Sequence, residues 1–182
     1  MKFGTLEFVP ALERTELLAP PVAAVLQTLP NTNGVGVSEI DPTLSDTAAF
    51  CEKYGTGPET AANCVVLEAK REGRSWFAAC VVLGSTRADV NGLARRTLDA
   101  RKVSFAPMPE AVAQTGMEFG AITPVGLPAG WPILVDKAVV NSARVIIGSG
   151  VRKSKLLVPG SFLASLPGVQ VLENLGQPKP QA

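Results

Sequence analysis

Apolar residues recur early in the chain at Leu12, Leu17 and Leu18, then at Val22, Val25, Leu26 and Leu29. Side chains three and four apart share one face of a helix, so this spacing predicts helix over 12–29. Pro20-Pro21 is expected to interrupt it, because proline lacks a backbone donor. Residues 30–34 read as a turn and 35–40 as a short alternating strand. Asp46 is placed to cap a helix reaching Tyr54, with Ala49 and Phe50 facing inward. Gly55 and Gly57-Pro58 end that helix. Two apolar runs follow, 64–67 and 76–83, separated by the charged stretch 70–74 with Gly73 inside it. That is the pattern of a β-hairpin whose second strand is buried.

Asp89 is expected to cap a helix over 90–98, with Arg95 and Arg96 on its exposed side. A short strand at 102–106 follows. Pro107 and Pro109 then open a helix at about 109–115, closed by Gly116. Residues 116–132 hold four glycines and three prolines, which excludes helix and central strand. So long an irregular stretch inside a compact domain usually serves function. Strands are expected at 133–135, 145–147, 156–158 and 169–172, with a short helix at about 160–166. Hairpins mix with short helices and strict strand–helix alternation is missing. The expected class is α+β, a central mixed, barrel-like sheet flanked by short helices. Residues 1–34 are expected to form a helical extension packed on the core, 35–176 the main domain, and 177–182 a flexible tail.

The chain of 182 residues suits one domain. It has no unbroken apolar run of about 18 residues, the length that would span a membrane. Glu7, Glu13 and Glu16 are at odds with a secretory leader, so a cytoplasmic location is expected. Cys51, Cys64 and Cys80 are widely spaced, without a Cys-x-x-Cys pair, and are expected to be reduced core residues. There is no histidine. This removes the Ser-His-Asp triad, the Cys-His dyad and most zinc sites, and no metal or cofactor is expected. Catalysis would have to draw on lysine, carboxylates, hydroxyls, backbone dipoles or a group on the substrate. The net charge of +1 hides an asymmetry. Residues 1–60 sum to −5 and residues 61–182 to +6, which favours an anionic partner for the later part of the chain or simply a solvated surface.

Four groups of residues carry candidate chemistry. Gly120 to Pro124 (GAITP), followed by Gly126, is a loop whose backbone could approach a ligand and present N–H groups to an oxyanion. Gly120 and Pro124 would shape it, with Ile122 and Thr123 between them. Taken alone it is also an ordinary Gly/Pro turn. Gly148, Ser149 and Gly150 form a tight turn followed by Arg152, Lys153 and Lys155, a setting that can hold phosphate or can be a solvated β-turn. Asp136 could orient a ligand amine or cap the helix after it. Arg95, Arg96, Arg101 and Lys102 could meet a phosphate backbone. Trp76, Phe77, Phe105 and Phe119 are expected in the core or in a pocket wall.

Together these segments resemble the YbaK/prolyl-tRNA-synthetase-associated family over about residues 35–175. The strongest part is TGMEFGAITPVGLP, residues 115–128, which is similar to the family's stretch around its GxxxP loop. The strand ending in Asp136 and the glycine turn before Arg152 continue the pattern in order. The resemblance implies a mixed α+β domain that hydrolyses the ester between a wrong amino acid and the 3′ end of tRNA. The ribose hydroxyl of the substrate would assist, and an aminoacyl-tRNA synthetase is a candidate second partner. Gly120 and Pro124 would grip the substrate near its carbonyl. Ile122, Thr123, Gly126, Asp136, Gly148, Ser149, Gly150 and Lys155 would contribute to binding. One departure stands out. Many relatives begin the strand near Cys64 with lysine, and here Asn63 stands in that place. Asparagine can hydrogen-bond but carries no charge. Lys155, where some relatives carry an acid, would restore a cation from the other side. The alternative is a non-catalytic binder of aminoacyl-tRNA or a similar aminoacyl ligand.

Overall fold

The computed structural model describes residues 1–44 and 46–180. β1 (Lys2–Phe3) and β2 (Leu6–Glu7) form a small antiparallel ribbon, and β3 (Val9–Pro10) follows. Single 3₁₀ turns at Ala11–Glu13 and Thr15–Leu17 lead to α1 (Pro20–Thr28). The expectation of helix from residue 12 is therefore corrected. Proline in a first helical turn loses no hydrogen bond, and its fixed φ suits the helix. Pro20 and Pro21 start α1 rather than interrupt a longer helix.

After β4 (Gly36–Glu39) comes α2 (Thr47–Tyr54). Asp46 Oδ1 accepts the Ala48 and Ala49 N–H groups at 3.0 and 3.3 Å, and Gly55 closes the helix in the left-handed conformation. β5 (Ala62–Arg71) and β6 (Arg74–Leu83) then form the longest hairpin. Its turn residues, Glu72 and Gly73, both have positive φ, which matches the right-handed twist of the strands. Both strands outrun the apolar runs that announced them, because Asn63, Glu68 and Lys70 break the apolar pattern of β5, and Arg74 and Ser75 open β6 before its apolar run.

β7 (Thr86–Ala88) follows, and then Asp89, whose carboxylate accepts the Gly92 and Leu93 N–H groups. It caps the expected helix, here wound wide over Val90–Ala94 before tightening into α3 (Arg95–Thr97). β8 (Lys102–Phe105) and α4 (Met108–Thr115) precede the irregular stretch, which runs without helix or strand to β9 (Ile133–Asp136). The remaining elements are α5 (Lys137–Val140), β10 (Val145–Gly148), β11 (Ser154–Val158), α6 (Gly160–Ala164), β12 (Val169–Leu172) and β13 (Gly176–Pro178).

One sheet has the order β12-β9-β6-β5-β8, parallel from β12 to β6 and antiparallel from β6 to β8. A second, antiparallel sheet runs β10-β11-β4-β3. A parallel bridge between Ala61 and Ile146 joins the start of β5 to β10, so the two sheets curl toward a barrel. The fold is α+β with a central mixed sheet and short helices.

Strand alternation assigns each side chain to a face. Ala79, Val81, Ile133 and Val135 meet Val37, Val145, Ile147 and Leu156 of the other sheet, with Val22 and Leu26 of α1. On the opposite face Leu67, Cys80, Val82 and Leu134 lie under Ala94 and Leu98. β6 is buried on both faces, as a central strand must be. Phe50 and Cys51 of α2 pack with Leu6, Phe8 and Leu157.

Two expectations about the termini change. The first 34 residues are only in part helical. β3 extends a sheet, and Leu17, Leu18, Val22 and Leu26 are core residues. At the other end, Gln177 and Pro178 pair with Arg87 and Thr86, and Lys179 Nζ donates to the Gly84 carbonyl at 2.6 Å. The expected loose tail is thus paired at its start, and residues 181–182 lie outside the described residues. The three cysteines are free thiols. Burial pushes the Cys80 thiol up to about 12 and raises Cys64 as well, so both stay protonated near neutrality.

Candidate functional site

A cavity of about 560 Å³ opens where the start of β5, the end of β8 and the two glycine-bearing motifs converge. One wall is the loop through Gly120 and Ile122, backed by the turn after β10. The Gly150 N–H donates to the Ala121 carbonyl at 2.8 Å, and the Glu118 N–H donates to the Gly150 carbonyl at 2.8 Å. A Cβ on Gly148 would sit 2.4 Å from the Ala121 oxygen, and one on Gly150, where φ is +83°, 2.4 Å from Ala19 Cβ. These two glycines have no room for a side chain, and that is why two motifs distant in sequence can interlock.

The rest of the lining is made of side chains. Thr47 Oγ1 donates to Asn63 Oδ1 at 2.7 Å. The Asn63 amide nitrogen is thereby left as the donor end of that side chain. Lys155 Nζ lies 5.5 Å from the centroid of the Phe50 ring, a cation–π contact. Burial lowers the pKa of its ammonium and Arg152 adds to this, whereas Cys51 and Asp46 oppose it. Arg152 ties the walls together. Its N–H donates to Glu118 Oε2 at 2.5 Å, its Nε to the Pro42 carbonyl at 3.3 Å, and its Nη1 to the Phe119 carbonyl at 3.3 Å. Phe105, Met108 and Phe119 line the mouth and are 68, 49 and 57% exposed. Three large apolar side chains left open around one cavity mark a binding surface.

The structure gathers Asn63, Gly120, Ile122, Gly148 and Lys155 around this cavity. The other six residues expected at the site do not line it. Pro124 is buried behind the loop, and Thr123 is fully buried, its N–H 3.5 Å from Met117 Sδ. Gly126 (φ +87°) packs on the Pro21 backbone at the start of α1. Ser149 Oγ is 2.7 Å from Ser154 Oγ and 3.0 Å from the Val151 and Ser154 carbonyls, so it pins the turn from inside. Gly150 sits behind Gly148. Asp136 spends its carboxylate on the Ala138 N–H at 2.7 Å and the Gly176 N–H at 2.6 Å, as a helix cap and a clasp for β13.

Thr43, Asp46 and Thr47 line the cavity without having been expected there, and Arg152, read in the sequence as a cation after the glycine turn, lines it too. Asp46 was read only as a cap. The available signal was that its helix begins near a strand carrying an unusual Asn63. Met108 and Phe119 carried a second signal, as apolar residues set among prolines and glycines.

Among the described residues, no group of three or more His, Cys, Asp or Glu is placed to hold a metal, and no helix is long and apolar enough to cross a membrane. The mixed sheet frames a cavity lined by a glycine-locked loop and by the cations Arg152 and Lys155, within an α+β domain. The family model described as the aminoacyl-tRNA editing domain matches residues 41–165, and the chain belongs to that family. Among solved structures, one described as a candidate trans-editing enzyme for prolyl tRNA synthetase is similar. It has a TM-score of 0.72 and 21% identity, over 85% of this chain and 94% of that one. A scaffold protein used for computational epitope backbone grafting gives a TM-score of 0.72 and 21% identity, over 85% of this chain and 95% of that one. A hypothetical protein gives 0.64 and 21%, over 73% of this chain and 85% of that one. At such identity the likeness is one of fold. Comparison with curated proteins finds no match.

Proposed function

We propose that the protein hydrolyses the ester joining a wrong amino acid to the 3′ end of tRNA, acting in trans as a proofreading deacylase. The observation that carries this is the convergence, in a chain of the editing-domain family, of Gly120, Ile122, Asn63 and Lys155 on one cavity. The terminal aminoacyl group enters between the walls. Water attacks the ester carbonyl carbon, the carbonyl oxygen gains negative charge, the bond to the ribose 3′ oxygen breaks, and that oxygen takes up a proton. The neighbouring ribose hydroxyl assists, as the family resemblance implies.

The Gly120 and Ile122 N–H groups have no acceptor among the described residues. They are the donors available to the developing oxyanion, where fixed dipoles give their largest effect. Lys155 and the Asn63 amide face the ribose and its phosphate. Selection among amino acids rests on the apolar volume beside Val66, Ala111 and Ile122. One methylene in such a pocket is worth about 10–200-fold.

The test is a deacylation time course with a panel of mischarged tRNAs, with Gly120→Val as control. Turnover on any one substrate, absent from the control, supports the proposal. No turnover above the control on every substrate overturns it. A second reading, a binder without turnover, is favoured by the neutral Asn63. Binding with no hydrolysis in the wild type, and hydrolysis gained in Asn63→Lys, would establish it.

A further inference from the structure

The end of the five-stranded sheet where the β5–β6 hairpin turns beside the edge strand β8 carries cations for which the fold gives no reason. Lys70 stands directly opposite Lys102 across β5 and β8, and Arg71 directly opposite Arg74 across the hairpin turn. Like charges facing each other across strands destabilise a sheet. Glu68 relieves Lys70 at 3.0 Å, and Glu72 at 3.7 Å and Asp99 relieve Arg71. Arg74, Arg101 and Lys102 have no carboxylate within ion-pair distance among the described residues, and all three are exposed. With Lys70 and Arg71 they line a concave surface of about 680 Å³, in which Glu72 is the one lining acid.

β8 connects this concavity to the candidate active site. Lys102 begins the strand at the basic concavity, and Phe105 ends it on the cavity rim. Three residues of extended strand cover roughly 10 Å. Three stacked nucleotides of one strand rise by about the same distance, roughly 3.4 Å each. An RNA strand whose last nucleoside occupies the cavity would lay its preceding phosphates beside Lys102, Arg101 and Arg74. The exposed Phe105 ring offers a face on which a base can stack on the way.

We propose that Arg74, Arg101 and Lys102 hold the phosphate backbone of the acceptor strand leading into the cavity. This rests on the reading of the cavity as the site for the tRNA 3′ end. Two probes separate the two ideas. One is an RNA hairpin with an unpaired ACCA end carrying an amide-linked, non-hydrolysable amino acid. The other is the corresponding aminoacylamino adenosine alone. Binding of both is measured across a salt series for the wild type and for Arg74→Gln/Arg101→Gln/Lys102→Gln. In the variant, hairpin binding is expected to weaken by about tenfold or more at low salt. The slope of log Kd against log salt is expected to fall by about 2, at roughly 0.7 per phosphate contact. Nucleoside binding should be unchanged, which also shows the variant folded. The charge-keeping variant Arg74→Lys/Arg101→Lys/Lys102→Arg should retain hairpin affinity. Unchanged hairpin affinity and slope in the glutamine variant overturn the basic edge and leave the cavity reading standing. Equal loss in both triple variants also overturns it, and failure of the wild type to bind either probe removes both readings together.

Discussion

One wall of the cavity is made of backbone and the other of side chains. The loop through Gly120 and the turn through Gly148 and Gly150 hold each other by main-chain hydrogen bonds and by the absence of any Cβ between them. The other wall is assembled from Thr47, Asn63, Arg152 and Lys155, brought from α2, β5, the β10–β11 turn and β11. The difference sets what each can vary. A backbone wall tolerates almost no substitution, because its shape is the contact. A side-chain wall can exchange one cation for another while the fold stays as it is. Asn63 and Lys155 line the same cavity, and such freedom would let a cation stand at either position.

The largest effect expected is from Gly148→Val. Its new side chain meets the Ala121 carbonyl at the first atom, and such overpacking costs at least ~1–3 kcal/mol. Urea denaturation should show that loss, and binding should fail with it. Gly120→Val, at φ +80°, should cost stability by roughly 1–2 kcal/mol but remove nearly all turnover, since it displaces the proposed oxyanion donors; a loss of about 10²-fold or more in kcat is expected. A small fall in kcat there would remove the distinction between the walls.

Asp136→Ala lies outside both walls and sharpens the contrast. It should lower the urea-derived stability by about 1–3 kcal/mol, through the loss of a cap and of the Gly176 contact. The KM of the folded fraction should not move. Lys155→Met tests the side-chain wall, where a raised KM with the stability at pH 7 little changed is expected. Burial holds the Lys155 ammonium below its ordinary 10.5. Between its folded pKa and that value the unfolded chain binds the extra proton, so wild-type stability rises with pH across the window. Urea midpoints followed upward from pH 7 should show this rise in the wild type and a smaller one in Lys155→Met. The smallest effect is Thr47→Val, which leaves Asn63 Oδ1 without its hydroxyl donor and should cost about 1 kcal/mol by the same assay.

The backbone wall was legible in the sequence, and the side-chain wall only in part, at Asn63 and Lys155. Glycine and proline are conspicuous because few other residues can do what they do. GAITP and the turn from Gly148 to Gly150 therefore announced themselves, as did the caps at Asp46 and Asp89, whereas Asp136 read both as a cap and as a binding residue. Position within a motif did not say which members face the ligand. Pro124, Gly126, Ser149 and Gly150 shape the wall from behind. Thr47 carried no local signal, and Asp46 read only as a cap, because both reach the cavity through pairings far apart in sequence. The same holds for Pro20-Pro21, which read as a break in one helix until the 3₁₀ turns before it were placed. It holds also for Gln177, a tail residue by composition and a strand residue by its pairing with Arg87.

The span matched by the family model runs from residue 41 to 165, but the folded unit does not stop there. Leu17, Val22 and Leu26 lie in the main core from one side of that span, and Leu175 is fully buried from the other. A piece trimmed to the matched span would open the main core at one end and leave Asp136 without the Gly176 N–H at the other. Grafting or excision of this module should therefore follow the buried contacts at its two ends rather than the edges of the sequence match.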